Sequence, residues 1–146
     1  MLMTNTEKLS VRRRWLLILL GLSFAIWTLA DLEVAEAYAA DGHGWMALLG
    51  AAAGLVWVAG LLFFTFSFAR SKLDPASKAA LEDELVEQNR KTSFSIAYSV
   101  LILLTVTFFL LSRMTELNAK DTVTVLLTAG IVTPMFTFAW LEGKGA

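Results

Sequence analysis

The sequence predicts an all-α, polytopic membrane protein: an antiparallel bundle of four transmembrane helices, both termini cytoplasmic, with the third helix extended into the cytoplasm. Three observations carry this. Only 17% of the 146 residues are charged and 57% are hydrophobic, where a soluble domain averages about 25% and about 45–50%. The charges gather in short segments and leave charge-free runs at 15–30, 42–69, 92–112 and 122–141. Lys and Arg divide ten to two between alternate connections, the bias that marks a cytoplasmic side. The chain reads as one membrane domain over 1–146, with spans at about 12–30, 45–69, 92–112 and 122–141 and a cytoplasmic helical loop at 70–91.

A helix needs about 20 largely apolar residues to cross the roughly 30 Å hydrocarbon core. The second, third and fourth runs hold 28, 21 and 20 residues and reach that length directly. The first holds 16. Val11 extends it, and Arg12, Arg13 and Arg14 can place their head groups at the interface. Barrel strands would alternate apolar and polar residues over about 10 positions, whereas 16–20 and 100–104 are continuously apolar. Helices are the remaining way to satisfy every backbone group in lipid. Arg12–Arg14, an apolar stretch and Ala37-Tyr38-Ala39 have the outline of a secretory signal. Asp31, Glu33 and Glu36 intervene before the cleavage-like site, so the segment reads as a retained helix.

Orientation follows from where the cations fall. Lys8, Arg12–Arg14, Arg70, Lys72, Lys78, Arg90, Lys91 and Lys144 lie on one side, and only Arg113 and Lys120 on the other. The N-terminus, middle loop and C-terminus are therefore expected in the cytoplasm. Trp15 and Trp140 then fall at inner helix ends, and Tyr38 and Trp45 at or beyond outer ends, as an aromatic belt requires.

The connections differ in kind. The first outer one, 31–44, carries Asp31, Glu33, Glu36 and Asp41 with no Lys or Arg. It is expected to continue helix one until Gly42 and Gly44 stop it. The second, about 113–121, is short enough to make spans three and four antiparallel neighbours. In the middle loop, Asp74-Pro75 is a helix start. Lys78 and Glu82, then Glu87 and Lys91, are opposite charges at i,i+4, and Leu81 and Leu85 add a narrow apolar stripe. No breaker separates Pro75 from Ser112, so this helix is expected to enter the membrane without interruption. Five basic and five acidic residues cancel in the loop, which argues against a polybasic lipid-binding patch there.

Chemistry inside the bilayer lacks its usual agents. The four runs contain no Asp, Glu, Lys or Arg, and the one histidine, His43, precedes the second span at 45–69. Proton relays, ion-coupled transport and voltage sensing rely on such residues; haem ligation and nucleophilic catalysis lack ligands and base pairs. With no cysteine, disulfides and thiolate metal sites are excluded. The expectation is a non-enzyme with no cofactor, no metal and no nucleic-acid partner. Asp31, Glu33, Glu36, Asp41 and His43 could together attract a divalent cation, but Glu33 and Glu36 share a helix face that Asp31 does not. The plainer reading is a solvated acidic end that helps set topology.

Two further patterns are binding candidates. Gly50 and Gly54 form a GxxxG pair, with Trp57 on the same face. This is either a packing surface or a groove for a lipid or small hydrophobic ligand, its indole N–H in need of an acceptor. Tyr98, Thr105 and Ser112 follow heptad spacing in span three, and Thr122, Thr133 and Thr137 share roughly one face of span four. Such hydroxyls either line a narrow polar path or bond within the bundle. Pro134 frees the carbonyl of Gly130 and should kink span four. Phe63, Phe64, Phe66 and Phe68 read as lipid-facing or interfacial.

The segment LEDELVEQNRKTSFSIAYSVLILL, residues 81–104, resembles small bacterial four-helix inner-membrane proteins. In these an acidic cytosolic helix with Asn-Arg leads straight into a span; Asp83, Glu84, Leu85, Asn89 and Arg90 carry the likeness, which extends loosely to 142. It implies an inner-membrane location and assigns no activity. The reading is thus a membrane adaptor, sensor or accessory subunit that engages a protein partner, or self-associates, through Leu81, Glu84, Leu85 and Arg90. The alternative is a homo-oligomeric channel or carrier for a small uncharged or anionic solute, using Tyr98, Thr105, Gly130, Thr133, Pro134 and Thr137.

Overall fold

The computed structural model describes residues 5–70 and 84–144. Every regular element among them is helical: α1 (Asn5–Ala30), α2 (Glu33–Ala40), α3 (Trp45–Arg70), α4 (Glu84–Leu111) and α5 (Ala119–Lys144). Of these, α1, α3, α4 and α5 are long and apolar enough to cross a membrane. At 1.5 Å per residue, 26 to 28 residues make helices of about 40 Å, longer than the hydrocarbon core alone.

The surface is what lipid rather than water would tolerate. Buried apolar side chains among the described residues are Leu20, Phe24, Ala97 and Ala139, while Leu48, Leu55, Leu103, Phe109 and Leu110 lie more than half exposed. Each such side chain forgoes about 1.5–3 kcal/mol of burial if water surrounds it, and contiguous apolar surface on this scale marks contact with membrane or protein. The chain is a multi-pass membrane protein.

Among the described residues the helices pack in the order α3, α1, α5, α4, with substantial interfaces only between neighbours in that row and small ones from α2 to α1 and α3. Side-chain neighbours fix the sense of the two seams made by α1. On α1 and α5, Gly21 lies by Phe136 and Arg14 by Gly143; on α1 and α3, Ala30 lies by Gly50 and Leu20 by Gly60. Numbers rise on one helix as they fall on the other, so α1 runs opposite to both α3 and α5. Along α4 the less exposed positions are 86, 89, 93, 97, 100, 101, 104 and 108, a single stripe at helical spacing that meets α5. α4 is one of the row's two edges: only 6% of its apolar span is buried, against 28% for α1.

The first connection departs from expectation. Helix one does not continue past residue 30. The N–H groups of Asp31 and Leu32 reach back three residues to Thr28 and Leu29 rather than four, tightening the last turn. Leu32 is then extended (φ −71°, ψ 145°), and α2 starts afresh at Glu33. Gly42, at φ 98°, takes the left-handed conformation that ends the excursion. Pro134 lies inside α5, whose helical assignment continues through it, and α4 runs unbroken from Glu84 to Leu111. The expected helix start at Asp74-Pro75, the Lys78–Glu82 pair and Leu81 fall outside the described residues.

Candidate functional site

Three regions carry the side chains singled out in the sequence. The first is the polar head of α4. Glu84, Leu85 and Arg90 are all exposed there, with Leu85 on the surface among charged neighbours. Lys91 Nζ lies 2.8 Å from Glu87 Oε1, the expected i,i+4 pair. Below this head the exposed side continues with Phe94, Tyr98, Ile102, Phe109 and Leu110. α4 thus presents a polar cap and an aliphatic–aromatic face on one unshared side.

The second is the small-residue face of α3. Gly50 and Gly54 are buried and covered by α1. A Cβ on Gly50 would come within 2.7 Å of Ala30 Cβ, and one on Gly54 within 3.2 Å of the Trp27 ring. Gly60, which the sequence reading passed over, meets Leu20 in the same way. Trp57 joins Phe24 and Trp27 in a cluster with ring centroids 5.0–6.0 Å apart, the tilted and edge-on geometry aromatic quadrupoles favour. Its Nε1 is buried without an acceptor.

The third is the hydroxyl set. Thr105 donates to Leu101 O at 2.8 Å, Ser112 to Phe109 O at 2.8 Å and Thr122 to Asn118 O at 2.9 Å, each within or next to its own helical turn. Tyr98 is 65% exposed on α4, away from the stripe that meets α5. Thr105, Ser112 and Thr122 do share a shallow groove of about 370 Å³, but with Phe108, Phe109 and Leu126 for company. Thr133, Pro134 and Thr137 are half-buried and not among its lining residues, and a Cβ on Gly130 would come within 3.9 Å of Leu101 Cδ1. One hydroxyl contact does bridge helices: Thr128 Oγ1 lies 2.8 Å from Thr28 Oγ1, while Thr28 donates to Phe24 O.

Charge gathers at the two ends of the row. At the end where α1 stops, Lys120 donates to Glu36 at 2.7 Å and lies 3.8 Å from Asp31, and Tyr38 stacks on His43 at 4.0 Å. Asp31 and Glu36 thus face a cation of the chain itself. No three His, Asp or Glu side chains among the described residues converge as metal ligands do. At the opposite end Arg13 pairs with Glu142, their side chains 15% and 7% exposed. Sequence reasoning missed this pair because 129 positions separate its members. Their equal depth from the same membrane face, once spans one and four are placed, was the available signal.

Comparison with protein-family models, curated proteins and solved structures finds no match.

Proposed function

We propose that this is a non-enzymatic inner-membrane adaptor, sensor or accessory subunit with both termini in the cytoplasm, which engages another membrane protein or a second copy through α4. The observation that carries the reading is the position of α4 at an edge of the row, with one side of a 28-residue helix unshared along its length among the described residues. Its polar head, Glu84 to Lys91, supplies the specificity that bare aliphatic surface lacks. The ten-to-two division of Lys and Arg supports the orientation, which places that head in the cytoplasm.

Because the chain has no cysteine, single cysteines report orientation cleanly. Ser112→Cys should react with an impermeant thiol reagent added outside intact cells, and Lys91→Cys only after lysis. A photo-cross-linking residue at Leu85 or Phe94 should give one adduct of defined mass, and the same residue at Leu48 on α3 should not. Equal adducts at all three positions would remove α4 as the contact surface.

The competing reading, a homo-oligomeric channel or carrier for a small uncharged or anionic solute, has less support. Hydroxyls that donate to their own helix offer a permeant solute only acceptor lone pairs; the groove that Thr105 lines does not include Thr133 or Thr137, and Tyr98 is largely exposed. It predicts solute flux in liposomes that falls on Thr133→Val with Thr137→Val; absence of flux in sealed vesicles removes it.

A further inference from the structure

We propose that the groove between the start of α1 and the end of α5 is a binding site for an anionic phospholipid. The groove, about 510 Å³, is lined by Arg14, Ile18, Phe136, Trp140, Gly143 and Lys144 among others. Two cations stand at its rim. Ile18 lies one helical turn deeper on α1, and Phe136 about two turns deeper than Lys144 on α5. Charge at the rim and apolar wall below, in one direction, is the profile of a phosphodiester headgroup followed by an acyl chain.

The cations are left available by their neighbours. Glu142, the carboxylate of this end of α5, is held by Arg13. Among the described residues no carboxylate lies within ion-pair distance of Arg14 or Lys144. Arg12 is over the Phe63 ring on the α3 side, so it does not contribute here. Lys144 Nζ rests 3.7 Å from the Trp140 ring centroid, which fixes the ammonium on the groove wall. Arg14 is fixed as well: a Cβ on Gly143 would meet its Nη1 at 2.8 Å. The missing side chain at 143 is what lets the guanidinium lie against the α5 backbone. A half-buried, positioned guanidinium fork beside a second cation suits phosphate oxygens, and basic pockets between transmembrane helices bind acidic headgroups. A soluble anion would use the rim and leave the apolar wall unused; a zwitterionic lipid would set its own cation against Arg14 and Lys144.

The proposal rests on the chain lying in a bilayer and not on the role of α4, and its test reads lipid adducts rather than protein contacts. Full-length protein released from detergent micelles into a native mass spectrometer is titrated with dioleoyl phosphatidylglycerol, dioleoyl phosphatidylcholine or inorganic phosphate. The expected result is one phosphatidylglycerol adduct retained at least tenfold more than phosphatidylcholine, and not displaced by millimolar phosphate. Arg14→Gln with Lys144→Gln should weaken it about thirtyfold, from two lost cation contacts near an anionic headgroup, and Arg113→Gln at the far end should not. Should the double variant lose its helical circular dichroism, Lys144→Gln alone, on the exposed last turn, should still weaken the adduct about fivefold. Equal retention of the two lipids, a charge-neutral variant that binds as the parent does, or displacement by free phosphate would each overturn the assignment.

Discussion

Replacing Gly50 by Ala tests the tightest seam of the row. The new methyl would sit 2.7 Å from Ala30 Cβ, whereas carbon atoms rest at about 3.5–4.0 Å. Neither atom is the end of a flexible side chain, so α1 and α3 must separate by about 1 Å at that level. Gaps of that size forfeit a quarter to a half of the contact energy of the lining atoms, and overpacking of a tight seam costs about 1–3 kcal/mol. The exchange of Gly for Ala within a helix returns up to about 1 kcal/mol. The net loss is therefore about 0–3 kcal/mol, and a single variant is a poor judge. The cycle is decisive. Ala30→Gly removes the opposing methyl, so Ala30→Gly with Gly50→Ala restores the fit, and the coupling between the two changes should be at least about 1 kcal/mol. Reversible unfolding in mixed micelles, followed by circular dichroism, measures all three variants against Ala51→Leu, whose side chain is exposed on α3. Additive effects of Ala30→Gly and Gly50→Ala would refute the account of this seam.

Three further changes address the other contacts. Thr128→Val removes the donor to Thr28 and should cost about 0.6 kcal/mol, the average for an interhelical hydrogen bond in lipid; a loss above about 2 kcal/mol in the same unfolding assay would mean the contact does more than join two helices. Glu142→Leu strands the Arg13 guanidinium and should cost about 3 kcal/mol, whereas Arg13→Leu with Glu142→Leu should recover most of that; a double variant no better than the single one argues against a shielded pair. Trp57→Phe keeps the aromatic cluster and deletes a buried N–H that has no acceptor, so stability should hold or rise by up to about 1 kcal/mol. A fall of more than about 1 kcal/mol would reveal a partner for that N–H.

The spans were legible because one physical rule sets them: charge stays out of hydrocarbon, and the charge-free runs fall on α1, α3, α4 and α5 to within three residues. The pairing of α4 with α5 followed from the shortness of the link at 113–121. The remaining order did not, because each of these helices is apolar nearly all round and periodicity cannot say which side faces protein. Gly50 and Gly54 were visible as a packing surface, yet nothing in the sequence names α1 as the helix they admit. The break at Asp31–Leu32 was illegible for a local reason. Neither residue is a Gly or Pro, and the excursion is marked only by Gly42, ten residues on from Leu32. The cationic groove was hidden because Arg14 and Lys144 were counted for orientation, as sums of charge, rather than placed beside one another.

Why the row stays open also follows from the solvent. In water, four apolar helices would close up to hide their outer faces; in lipid no such drive exists, because acyl chains cover a leucine as well as another leucine does. A seam forms only where side chains let backbones approach or where polar groups meet. Three seams have those means: Gly50, Gly54 and Gly60 between α3 and α1; Gly21, the Thr28–Thr128 contact and the Arg13–Glu142 pair between α1 and α5; buried Ser93 and Ala97 on α4, and Gly130 beside Leu101, between α4 and α5. The outer faces of α3 and α4 carry Leu48, Leu55, Leu62, Phe94, Leu103 and Leu110 instead, which suit acyl chains and give the two edges no reason to meet. A partner that does bind α4 must therefore bring small or polar residues of its own, or act through the Glu84–Lys91 head, where water restores the hydrophobic drive and charge gives selectivity.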